Sequence, residues 1–75
     1  MKQHIIQTID TLEQSIAEMA EAIKNSRAQR EQKIIENPDY IDTDEYTESL
    51  MATHELRKVM SELQEAYQTL FRYYQ

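Results

Sequence analysis

Three pairs of glutamates stand three residues apart: Glu18 with Glu21, Glu45 with Glu48, and Glu62 with Glu65. On a helix that spacing brings both carboxylates to one face, as in carboxylate-bridged di-metal bundles. Those bundles also require a Glu-x-x-His motif, which this sequence lacks. His4 and His54 have no partner at ligand spacing, and His54 falls at an outward helical position. With no Cys there is no thiolate nucleophile, disulfide or Cys-based zinc site. With no Gly there is no Gly-rich phosphate loop. No Ser–His–acid arrangement stands out. The sequence therefore predicts no enzyme, with no catalytic, metal-binding or cofactor-binding residue and no small-molecule ligand.

What the sequence does carry is segregated charge. Lys24, Arg27, Arg30 and Lys33 hold half of the 8 basic residues. From Ile34 to Leu56 there is no Lys or Arg, but there are seven acids: Glu36, Asp39, Asp42, Asp44, Glu45, Glu48 and Glu55. One reading is a partner-binding surface, basic on Lys24, Arg27, Arg30 and Lys33 and acidic on Asp42, Asp44, Glu45 and Glu48. The plainer reading is internal pairing, with Arg30 meeting Glu45 or Glu48. The four basic residues advance in steps of three, so they spiral around a helix and make no single stripe for nucleic acid. A net charge of −6 points the same way. Asp10, Glu13, Glu18 and Glu21 run up the outer part of the first half, as a DNA-mimicking rod would require or as an ordinary solvated face would show. A second patch is aromatic: Tyr67, Phe71, Tyr73 and Tyr74 crowd one end of the sequence. Phe71 and Tyr74 join the candidate partner-binding residues.

The elements that must position these groups follow from periodicity. Ile5, Ile9, Leu12, Ile16, Met19 and Ile23 are spaced 4, 3, 4, 3, 4, and so are Leu56, Met60, Leu63, Tyr67, Leu70 and Tyr74. That is the seam of a helix lying along another helix. Asn37-Pro38 stops the first helix, because Pro disfavours helical geometry at the residue before it. Asp42 as N-cap with Glu45 reads as a capping box opening the second, with Ile41 and Tyr46 as a hydrophobic staple. The expected fold is all-α: an antiparallel, coiled-coil-like two-helix hairpin forming one domain over 1–75, with helix one about 3–36, linker 37–42 and helix two about 43–74. Folded back, Ile23 meets Leu56, Met19 meets Met60, Ile16 meets Leu63, Leu12 meets Tyr67, Ile9 meets Leu70 and Ile5 meets Tyr74. Each pair of numbers adds to 79, about the Pro38–Tyr40 linker. Two independent heptads would share that register about one time in seven. Toward the loop the seam turns polar: Ser26 with Thr53, Arg30 with Ser49, Lys33 with Tyr46. Ser26 with Gln29 also reads as a capping box, so the alternative is three helices with a break near Asn25-Ser26.

A lone hairpin buries one stripe per helix, which is seldom enough below about 70–80 residues. Beside the seam, Thr8, Ser15 and Ala22 on helix one and Ala52, Val59, Ala66 and Tyr73 on helix two recur every seven residues. In an antiparallel pair these share one side. They are the expected self-association residues, closing a homodimeric four-helix bundle. No apolar run is long enough to span a membrane, and Met1-Lys2-Gln3-His4 lacks the apolar core of a signal peptide, so the expected location is cytoplasmic.

These features favour a small protein–protein interaction module, an adaptor, inhibitor or co-chaperone with itself and one protein as partners. The alternatives are a nucleic-acid regulator using residues 24–33 and an acidic DNA-mimic or inhibitor of a phage or mobile element. In outline the chain resembles the helical-hairpin co-chaperones that hold type III secretion needle subunits. The likeness rests on a polar first helix, an acidic turn running to Tyr from Asp42 to Tyr46, and an aromatic-ended second helix from Phe71 to Tyr74. It covers most of the length, includes no diagnostic motif, and would imply a co-chaperone. The Trp-x-Gly secreted hairpins are excluded, since the sequence has neither residue.

Overall fold

The computed structural model describes residues 2–74, with side chains from 3 to 73. The fold is an all-α helical hairpin: α1 (Lys2–Glu36), a 3-10 turn (Pro38–Asp42) and α2 (Asp44–Tyr74). It measures 54 × 15 × 15 Å. At about 1.5 Å per residue, α1 alone accounts for that length, so the two helices lie side by side along the whole rod.

Every seam residue from Ile5 to Ile23 and from Leu56 to Leu70 is buried or half-buried, and most residues between them are exposed. The 79 register reappears in the contacts that tie the helices together. Arg30 bonds Ser49, as the pairing predicts, and Tyr67, the predicted partner of Leu12, bonds the adjacent Glu13. The Ile5–Tyr74 pairing lies outside the described side chains.

Three local expectations are corrected. α1 runs unbroken through Asn25 and Ser26, so the three-helix alternative does not occur. Ser26 is half-buried on the seam, and the next seam residue, Arg30, is bonded across to α2. A break there would forfeit those contacts along with backbone bonds. The cap of α2 is Thr43, not Asp42. Its hydroxyl accepts from the Tyr46 N–H at 3.2 Å, while Asp42 closes the 3-10 turn. Tyr46, not Glu45, therefore occupies the third helical position, and no capping box forms. Ile41 is 48% exposed, and the Tyr46 ring packs edge-on against Tyr40 at 5.7 Å, so the expected staple is replaced by an aromatic pair.

The linker is ordered by its own chemistry. Asn37 accepts from the Asp39 N–H at 3.2 Å, and Pro38 starts the 3-10 turn, where its missing N–H costs nothing. The Tyr40 carbonyl accepts from both the N–H and the hydroxyl of Thr43, at 3.1 and 2.7 Å. Pinned this way, Tyr40 is only 7% exposed and plugs the loop end of the seam.

Candidate functional site

At the loop end, the charges are satisfied in two layers. Arg30 occupies a seam position and is 8% exposed. Its Nη1 donates to the Ser49 carbonyl at 3.3 Å, the Ser49 hydroxyl at 3.2 Å and the Thr53 hydroxyl at 2.6 Å. The Thr53 hydroxyl in turn donates to the Ser49 carbonyl at 3.0 Å. The expected pairing of Arg30 with Glu45 or Glu48 is thus corrected. A seam position points inward, at hydroxyls, while those carboxylates stand on the exposed rim. Lys33, one turn further, reaches the rim and takes Glu45 instead. That hydrogen bond, chiefly, raises the Lys33 pKa above its ordinary 10.5. Its ammonium also sits 5.3 Å from the centre of the Tyr40 ring, a cation–π distance.

Of the candidate partner-binding residues, Lys24, Arg27, Asp42, Asp44 and Glu48 are exposed, and Lys33 and Glu45 are engaged with each other. Arg30 is inside. The basic segment therefore presents Lys24 and Arg27 outward, not four cations in a row. Phe71 is 44% exposed and stacks on Tyr67 at 5.8 Å; Tyr74 lies outside the described side chains. Of the self-association residues, Ser15 and Ala22 are half-buried, while Thr8, Ala52, Val59, Ala66 and Tyr73 are exposed.

Nearer the termini, the Tyr67 hydroxyl donates to Glu13 Oε1 at 2.7 Å across the helix pair. This bond is the main reason the Tyr67 pKa is raised above its ordinary 10.0. Glu13, Ile16, Gln64, Tyr67 and Gln68 line an open groove between the helices, and a second shallow groove on α1 is lined in part by Ala20, Lys24 and Arg27. No family model, curated protein or solved structure matches the chain. Among the described residues there is no group of three or more His, Asp or Glu placed to hold a metal ion, and no helix is long and apolar enough to cross a membrane.

Sequence reasoning missed Tyr40, Thr43 and the Glu13–Tyr67 bond. Thr43 carried a local signal, a capping hydroxyl directly before two acids, masked by the equally good Asp42. Tyr40 carried none, since its burial follows from where the 3-10 turn folds back. Glu13 and Tyr67 sit beside one another only once the register is known.

Proposed function

We propose that this protein is a non-enzymatic protein–protein interaction module that acts through the sides of its hairpin, first with a second copy of itself. One observation carries the reading: among the described hydrophobic residues only Ile23 and Tyr40 are buried, and no large side chain is fully enclosed. The remaining seam is half open to water. The accessible surface is 6112 Å², against about 4,900 Å² expected for a compact 9.0 kDa protein. Covering the excess of roughly 1,200 Å² per copy would bury about 2,400 Å² in a dimer, within the range of obligate homodimers. Further helices laid on the hairpin would complete the core that two helices leave thin. The same open helical surfaces support an adaptor, inhibitor or co-chaperone role toward one protein partner.

The nucleic-acid alternative draws less support. With Arg30 enclosed and Lys33 paired, two outward cations remain in the basic segment, too few for a strong phosphate-binding term. Sedimentation equilibrium tests the main reading. A particle of about 18 kDa is expected, twice the chain mass; a monomer of 9.0 kDa at hundreds of micromolar would rule self-association out.

A further inference from the structure

The hairpin has two long edges, one on each side of the seam, and they differ in kind. The edge holding Thr8, Ser15, Ala22, Ala52, Val59, Ala66 and Tyr73 runs on to Glu36 and Glu45 at the loop end and is flanked by Glu18, Glu48, Glu55 and Glu62, with no Lys or Arg at the flanking heptad positions. A second copy docked there would set acids near acids. The opposite edge is where Glu13 and Gln64 line one groove and where Ala20 and Arg27 line the other. The offset that puts Glu13 beside Gln64 also puts Ile6 beside Phe71 and Ala20 beside Arg57. Large apolar side chains stand open along this edge, with Ile6 52%, Phe71 44% and Leu50 41% exposed and Ile34 half-buried nearby.

The charges on this edge are arranged symmetrically. Glu13 and Arg27 each lie seven residues from Ala20, and Ile6 and Ile34 each lie fourteen from it. On α2, Leu50 and Gln64 each lie seven residues from Arg57. A two-fold axis crossing the rod at Ala20 therefore sets Glu13 of each copy against Arg27 of the other, about 10 Å to either side of the axis. The same operation lays the Ile6–Phe71 pair over Ile34 of the second copy. Arg57 meets its own copy at the axis, where Ala20 leaves room for the two guanidiniums to turn apart into solvent. Glu13 is already held by the Tyr67 hydroxyl through Oε1, which leaves Oε2 to accept. Among the described residues Arg27 has no ion-pair partner within its own chain.

We infer that a second copy docks antiparallel along the Ile6–Ala20–Ile34 edge, with reciprocal Glu13–Arg27 ion pairs fixing its register. The inference rests on the self-association proposed above and specifies its face and symmetry. Charge-swap variants test it by sedimentation, with circular dichroism to establish that each remains helical. Arg27→Glu should weaken dimerisation about tenfold or more by setting two acids together, and Glu13→Arg with Arg27→Glu should restore it to within about threefold. Tyr67→Phe, which leaves both charges in place, controls for the bond Glu13→Arg breaks; it should dimerise like the parent. If the parent is a monomer, self-association itself fails, and this inference with it. If the parent dimerises, Arg27→Glu has no effect and Val59→Glu dissociates it, the acid-flanked edge is the interface and this inference is overturned. Weakening by Arg27→Glu without rescue by the double swap would equally overturn the ion pair.

Discussion

The guanidinium of Arg30 is enclosed among a carbonyl and two hydroxyls, none of them charged. Such a group is costly to bury and costlier to leave unbonded, so the two partners respond differently to substitution. Thr53→Val removes the 2.6 Å acceptor while the cation stays, and should cost about 1–3 kcal/mol. Arg30→Met removes the charge and keeps much of the bulk, and should change stability by less than about 1 kcal/mol or raise it. Urea denaturation midpoints compare them; equal losses from both would contradict this account. Lys33 and Tyr67 make a second residue-scale prediction. Both pKa values are raised, from 10.5 and 10.0, so in each case the folded state holds its proton more tightly. Their stabilisation is complete below those ordinary values and is lost as pH rises through the higher folded ones. Stability should fall above about pH 10, and less steeply in Tyr67→Phe. Parallel profiles for parent and variant would contradict the Glu13–Tyr67 bond.

At the scale of elements, the turn is the part most exposed to single changes. Thr43 satisfies the Tyr46 N–H at the start of α2, so Thr43→Ala should lower stability by about 1 kcal/mol. Asp42→Ala should change it by a few tenths, since Asp42 does not cap; the reverse order in thermal unfolding would restore Asp42 as the cap. Tyr40 is the plug between the helices, and Tyr40→Ala should cost about 3 kcal/mol by opening a cavity against Tyr46 and Lys33. The helices themselves need less local help. α1 lacks an acid in its first turn, yet it runs for 35 residues, because α2 covers its inward stripe along nearly the whole length.

Over the whole molecule, a rod 54 Å long and 15 Å across has too little interior for its surface. Partial burial distributed along a seam, with only Ile23 and Tyr40 buried among the described hydrophobic residues, predicts modest stability for a single copy. Any copy that covers an edge must therefore stabilise the fold by mass action. The melting temperature should rise with protein concentration over a hundredfold range; a concentration-independent value would show that the hairpin stands alone.

The hairpin and its register were legible in the residue order, because a seam with 4–3 spacing admits few partners and a single proline marks the reversal. Heptad spacing alone pairs Arg30 with Ser49, the residue it bonds. What remained hidden depends on distance in space. Asp42 and Thr43 are both good caps, and only the way the 3-10 turn folds back selects Thr43. Heptad position put Val59 and Tyr73 on one edge and Ile6, Leu50 and Phe71 on the other, but only the packed pair shows that large apolar side chains stand open on both. Periodicity determines which residues share a stripe, since helix geometry is local. Which cations turn inward, and how much of each stripe stays open, was decided by the packing of the two helices, which no short window of sequence contains.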